Sequence, residues 1–212
     1  MKKKLNLIFR SLYNHFGPQH WWPASSPFEV MVGSILTQNT NWANVEKAIT
    51  NLKKHKVLTP LKIYNLPHYK LARLIRSAGY YNVKARRLKS FLRFFINNYS
   101  GSIRKISRVK LAVLRDELLS VKGIGPETAD SILLYALNKP VFVIDAYTKR
   151  IFSRLKLLPP EASYSEAQTL FMSGLKKDVL LFNEYHALLV VLAKAYCAKS
   201  NPKCSLCPLD FC

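Results

Sequence analysis

The chain has 212 residues, enough for a substantial core in one or two domains, and its 49% hydrophobic and 21% charged content is ordinary for a folded soluble protein. No apolar stretch is long enough to span a bilayer, which excludes an integral helical membrane protein. Against 33 Lys and Arg stand 12 Asp and Glu; the formal charge of +21 points to a polyanionic partner, nucleic acid ahead of a membrane surface or an acidic protein.

The N-terminus, Met1-Lys2-Lys3-Lys4, has the start of a secretory signal, but Asn6, Arg10 and Asn14 interrupt the apolar run that must follow. Leu5, Ile8, Phe9, Leu12, Tyr13 and Phe16 instead share one face at helical spacing, and a cytoplasmic, nucleoid-associated location is expected. His20-Trp21-Trp22-Pro23 leads to helical stretches over Phe28 to Thr37 and Trp42 to Lys53. Thr59-Pro60 supplies an N-cap followed by proline at the first helical position, and Pro67 opens a helix through Ser77. From Asn82 to Asn98 one face is basic, while Leu88, Phe91, Leu92, Phe94 and Phe95 fill the other. Lys110 to Leu119 and Pro126 to Leu137 flank a glycine turn, and Val141-Phe142-Val143-Ile144 is a short β-branched run. Asp145 caps a helix to Leu155, Ser163-x-x-Glu166 forms a capping box for a helix through Leu175, and a last helix runs from Asn183. The fold class is all-α.

Two features carry chemistry. Gly123-Ile124-Gly125 lets the backbone turn sharply, and Pro126 starts a helix whose free N–H groups suit a phosphate, with Lys122 adding charge. A plain helix–helix turn is the alternative; the basic surroundings favour a helix-hairpin-helix DNA-binding element. All four cysteines, Cys197, Cys204, Cys207 and Cys212, fall in the last sixteen residues as C-x6-C-x2-C-x4-C. Four thiols at that spacing suit a [4Fe–4S] cluster or tetrahedral zinc, with disulfides disfavoured in a cytosolic protein.

The hairpin, the segment Val143-Ile144-Asp145-Ala146-Tyr147-Thr148-Lys149-Arg150, Ile35-Leu36-Thr37-Gln38-Asn39-Thr40, Gly79-Tyr80-Tyr81-Asn82-Val83-Lys84-Ala85 and the cysteine loop together resemble the endonuclease III superfamily of DNA base-excision glycosylases across nearly the whole chain. The resemblance implies two helical domains, a six-helix domain over 24–137 and a discontinuous, cluster-bearing domain over 1–23 and 138–212, with DNA in the cleft between them. It makes a [4Fe–4S] cluster on the four cysteines the expectation ahead of zinc, and a monomer acting on damaged double-stranded DNA. Asp145 corresponds to the catalytic aspartate, Gln38 to the residue that fills the gap left by an extruded base, and Tyr80 to the intercalating wedge. Lys84, Arg86, Arg87 and Lys89 follow the wedge as candidate phosphate contacts, joined by Lys122, Gly123, Gly125 and Lys149. Each has a plainer role open to it: helix cap for Asp145, helix-end hydrogen bond for Gln38, core packing for Tyr80, a solvated face for the basic residues.

One departure matters. Bifunctional relatives carry a lysine where this chain has Glu127, and a carboxylate cannot form a Schiff base with the sugar. A monofunctional glycosylase with weak or absent AP-lyase activity is therefore expected. Trp21, Trp22, Pro23 and Trp42 form a candidate base pocket, although tryptophans also commonly fill cores. The Trp-Trp-Pro string together with Leu36-Thr37-Gln38-Asn39-Thr40-Asn41-Trp42 most resembles the 3-methyladenine DNA glycosylase-type branch, and indoles favour a cationic alkylated purine such as 3-methyladenine or 7-methylguanine. The alternatives are an oxidised-pyrimidine glycosylase/AP lyase of endonuclease III type and a non-catalytic DNA-structure-binding protein.

Overall fold

Apolar residues at helical spacing, punctuated by side-chain caps, give an all-helical chain. The computed structural model describes residues 1–209, and these divide into two units: Ala24–Asn138, and Met1–Pro23 with Lys139–Cys212. Among the described residues no helix is long and apolar enough to cross a membrane.

The continuous unit carries eight α-helices among the described residues, where the resemblance implied six: α2 (Pro27–Leu36), α3 (Trp42–Lys54), α4 (Pro60–Asn65), α5 (His68–Leu74), α6 (Tyr81–Tyr99), α7 (Ile103–Ser107), α8 (Leu111–Ser120) and α9 (Pro126–Ser131). Short helices such as α7 lack the periodic run that announces a long one. Helix α2 is apolar all round and buried from Phe28 to Leu36, as befits a central helix. Ser26 caps it by accepting from the Glu29 N–H, and the Glu29 carboxylate turns back to the Ser25 N–H and hydroxyl while pairing with Lys53 at 2.7 Å. Helix α6 presents Leu88, Phe91, Leu92 and Phe95 to the core, and Phe95 stacks near Phe28 at 6.3 Å. Helix α9 does not run on as a regular α-helix to Leu137; it widens into a π-helical turn over Ile132–Ala136 packed on α2.

The buried Asp130 carboxylate takes two hydrogen bonds from Arg115, at 2.7 and 3.0 Å, joining α8 to α9. This bidentate pair fixes the two helices on either side of the glycine turn.

The discontinuous unit holds α1 (Lys2–Phe16), α10 (Ala146–Arg154), α11 (Tyr164–Gly174), α12 (Val179–Ala195) and a 3-10 turn at Cys204–Leu206. The Ser163–Glu166 capping box is formed in both directions. Leu5, Ile8 and Leu12 are fully buried, and Tyr185 donates to the Leu5 carbonyl at 2.9 Å. Gly174 permits close approach to α1, since a Cβ there would lie 2.4 Å from Leu5 Cδ1. Val141–Ile144 is extended and at most 3% exposed, yet pairs with no strand among the described residues. Side chains satisfy its backbone instead: the Ile144 N–H reaches the Tyr164 hydroxyl at 3.3 Å, and Gln168 donates to the Phe142 carbonyl at 2.7 Å. Phe142 stacks on Phe171 at 4.0 Å with an 8° tilt, which fixes the path of the chain just before Asp145.

Asp130→Ala removes both of these hydrogen bonds from the buried end of the pair; unfolding in urea is expected to show a loss of about 3 kcal/mol, with an unchanged dependence on denaturant.

Candidate active site

In the continuous unit the glycine turn is tightly specified. Gly123 has φ +92°, and a Cβ on it would lie 2.4 Å from Arg87 Cγ, so both backbone and neighbour demand glycine. Gly125 meets open space and, with Lys122 and Glu127, is exposed. Gln38, just past α2, donates to the Gly123 carbonyl at 3.0 Å and to Thr128 Oγ1 at 2.9 Å, and accepts from Arg87 at 2.5 Å. Its amide therefore ties α2 and α6 to the hairpin.

Tyr80 is the N-cap of α6, with φ 45° and ψ 32°. Left-handed backbone at an aromatic residue costs on the order of 1–2 kcal/mol, and the side chain recovers little by packing because it is 71% exposed. The core-packing alternative for Tyr80 does not hold. Its turn is braced from beneath by Lys84, whose ammonium donates to the Ala78 carbonyl at 2.5 Å. Burial, helped by the Arg87 charge, brings Lys84 down to about 8. Lys84 is 1% exposed, so the expected phosphate contact gives way to an internal role: it points inward from the first turn of α6. Lys89 is likewise turned inward, onto the Tyr64 and Leu66 carbonyls, and Arg87 onto Gln38. Arg86 remains exposed.

In the discontinuous unit Asp145 is the N-cap of α10, and its Oδ1 accepts from the Thr148 N–H at 2.7 Å. Its Oδ2 lies 3.6 Å from His186 Nε2 on α12, with 13% of the aspartate side chain and 8% of the histidine exposed. Burial pushes the carboxyl up, but the His186 charge and the Thr148 N–H outweigh it and hold Asp145 below the ordinary carboxylate value. His186 escaped the sequence reading, where a lone histidine in an apolar helix gives little signal. Lys149 donates to the Ala162 carbonyl at 2.6 Å and is half-buried. Trp21 and Trp22 meet edge to face at 5.7 Å, Pro23 is exposed, and Trp21 lines an open groove of about 590 Å³ with Phe9, Tyr13 and Glu184. Trp42 begins α3 in the continuous unit.

The cysteine loop corrects the expected metal centre. Among the described residues no group of three or more His, Cys, Asp or Glu side chains could hold a metal ion, and Cys197, Cys204 and Cys207 are free thiols. Cys212 lies outside the described residues. Arginines hold the start of this loop: Arg154 reaches Cys197 Sγ at 3.2 Å and the Ala198 and Lys199 carbonyls, and Arg150 reaches the Cys197 carbonyl at 2.9 Å. The described thiols do not fit a [4Fe–4S] cluster or zinc, which corrects the cluster-bearing domain and the iron–sulfur binding that the family resemblance implied.

A glycine turn between two helices, an exposed tyrosine on a strained helix start, and a mostly buried aspartate at a helix cap define a class: all-α helix-hairpin-helix proteins. Residues 32–177 match the model of the HhH-GPD superfamily of base excision DNA repair proteins, and the chain belongs to that family. It is 49% identical over 207 residues to MJ1434 of Methanocaldococcus jannaschii, assigned as a DNA repair glycosylase, covering 97% of this chain and 94% of that one. Endonuclease III of Thermotoga maritima is 28% identical over 203 residues, 94% and 87% of the two chains. Among solved structures, a non-covalent endonuclease III–DNA complex matches with TM-score 0.85 at 24% identity, covering 100% and 95%. The H. pylori 3-methyladenine DNA glycosylase bound to 1,N6-ethenoadenine matches with TM-score 0.76 at 30% identity, covering 91% and 95%. The chain is a DNA N-glycosylase of this superfamily. The branch expectation is corrected: whole-chain likeness favours endonuclease III over the 3-methyladenine enzyme, because a few aromatic residues say little about the helical frame that carries them.

Gly123→Ala forces a left-handed alanine against Arg87 and is expected to cost about 2 kcal/mol, whereas Gly125→Ala folds with nearly unchanged stability; thermal unfolding of the two variants checks this. Because the Asp145 carboxyl is depressed in the folded state, the stability it contributes is fully present above the ordinary carboxylate value and disappears as pH falls through the folded one. Wild type is thus expected to lose ground relative to Asp145→Asn below about pH 4, as read from denaturant titrations between pH 3 and 6.

Proposed function

We propose that the chain releases a damaged pyrimidine from double-stranded DNA by hydrolysis alone, with Asp145 facing the sugar of the extruded nucleotide and no lyase step at the hairpin. The observation that carries this reading is Asp145 itself, an ionised carboxylate kept in a mostly buried setting by a helix cap and His186. As the N-glycosidic bond breaks, positive charge develops on the deoxyribose, and a fixed negative group in a poorly hydrated site stabilises it far better than one in water. The same carboxylate can orient the attacking water. A neutral amide in its place keeps the cap and loses the charge.

The exposed Tyr80 ring, on its strained and braced turn, supports a wedge that enters the stack as the nucleotide is extruded. The excess of 33 basic over 12 acidic residues supports attraction to the duplex. Glu127, exposed in the first turn of α9, supports hydrolysis without strand cleavage, since it offers no amine to capture the sugar. Support for a pyrimidine ahead of an alkylated purine comes from the sequence likeness to endonuclease III, which runs along nearly the whole chain.

Single-lesion duplexes carrying oxidised pyrimidines, uracil or alkylated purines, assayed with and without alkali, test the reading. Pyrimidine lesions are expected to yield intact abasic strands that break only after alkali; release of alkylated purines alone overturns the substrate class. Asp145→Asn is expected to bind lesion DNA while losing at least about 100-fold in single-turnover excision. Borohydride should trap little covalent adduct with the wild type and more with Glu127→Lys, and strong wild-type trapping overturns the hydrolytic assignment.

A further inference from the structure

The two carboxylate oxygens of Asp145 are held from different elements. Oδ1 belongs to the helix cap, where the Thr148 N–H donates to it at 2.7 Å. Oδ2 faces across to α12, where His186 Nε2 approaches to 3.6 Å, an ion-pair distance rather than a closed hydrogen bond. Helix α12 is otherwise packed with Tyr185, Ala187, Leu188 and Leu189 around that position, all buried. An imidazole set among them costs free energy unless a polar partner meets it, and an aliphatic residue would fill the same space without that cost. The His186 and Phe142 rings lie nearly perpendicular with centroids 6.5 Å apart, and Phe142 is itself stacked on Phe171, so core packing helps set the ring's direction.

The geometry points to His186 as the positioning residue for Asp145: it meets Oδ2 from α12 while the α10 cap holds Oδ1, so the carboxylate is fixed from two elements. This rests on the reading that Asp145 acts in excision. His186 is not itself given a contact with DNA. The neighbouring ionisable groups are engaged elsewhere. Lys149 on α10 reaches the Ala162 carbonyl and Arg150 the Cys197 carbonyl. On α12, Tyr185 donates to the Leu5 carbonyl and Glu184 accepts from the Gln19 N–H. Tyr164 of α11 takes the Ile144 N–H, and His15 of α1 meets Tyr196. Removing His186 therefore leaves Oδ2 without its ion-pair partner, and burial then favours the protonated acid.

The sign of the effect follows. Excision needs the ionised carboxylate, and the His186 interactions oppose the upward push of burial on Asp145, so losing the imidazole moves the acidic limb of the rate profile to higher pH. His186→Ala and His186→Gln are compared with wild type in single-turnover excision between pH 4.5 and 8.5. Affinity for a duplex with an uncleavable abasic analogue and the unfolding midpoint are measured on the same proteins. In His186→Ala the limb is expected to rise by about one pH unit and the neutral-pH rate to fall at least about tenfold, with abasic-analogue affinity within about twofold of wild type. His186→Gln, whose amide can still donate to Oδ2, is expected to recover part of the rate but not the wild-type limb. It also serves as the test if the alanine variant fails to fold. A limb at its wild-type position in a folded variant, with Asp145→Asn inactive, overturns the assignment of His186 alone. Full excision by Asp145→Asn overturns the catalytic reading and this inference with it.

Discussion

Keeping a negative charge on a side chain that the fold mostly hides is the constraint on which the candidate site depends. Water normally stabilises a carboxylate, and Asp145 has given up most of that hydration. Replacement comes from two directions: the free N–H groups at the start of α10, and the imidazole of α12. Neither would be in place without Val141–Ile144, which carries the chain through the core as extended backbone. That segment survives burial because Gln168 and Tyr164 take up hydrogen bonds that a neighbouring strand would otherwise supply.

The continuous unit solves a related problem with opposite charge. Several of its cations serve the architecture before they could serve a ligand. Lys84 stabilises the turn that displays Tyr80, Lys89 gathers the carbonyls at the end of α4, and Arg87 packs over Gly123 while holding Gln38. The result is a rigid presentation of an exposed aromatic ring and an exposed glycine turn, from backbone that would not hold those conformations alone. A net charge of +21 thus overstates the number of cations that can touch an external polyanion directly, since some of these side chains are turned inward.

The corrected expectations share one physical origin. Four thiols within a short terminal stretch are a statement about spacing, whereas a metal site requires convergence, and the described thiols do not converge. The Trp-Trp-Pro string is equally local. Family membership rests on the helical frame and the hairpin, which involve most of the chain. Both outcomes show how far a short motif reaches when the elements around it are not yet placed.

Much of the fold was legible beforehand because its signals are local. The periodic apolar faces of α1 and α6, the Ser163–Glu166 capping box, the proline starts of α4 and α9 and the Gly-Ile-Gly turn all act within a few residues. Asp145 too could be read both as a cap and, through the resemblance, as a candidate catalytic group. What stayed hidden depends on distant partners: Lys84 looked like a surface cation until the carbonyl of Ala78 was placed beneath it, and His186 gave no signal until α12 lay against the cap of α10. By itself the amino-acid order determined most of the longer helical segments, several of their starts and many of the residues with usable chemistry, since propensity and capping act over one or two turns. Only the tertiary structure decided which of those groups face one another, because burial and charge pairing depend on segments far apart along the chain.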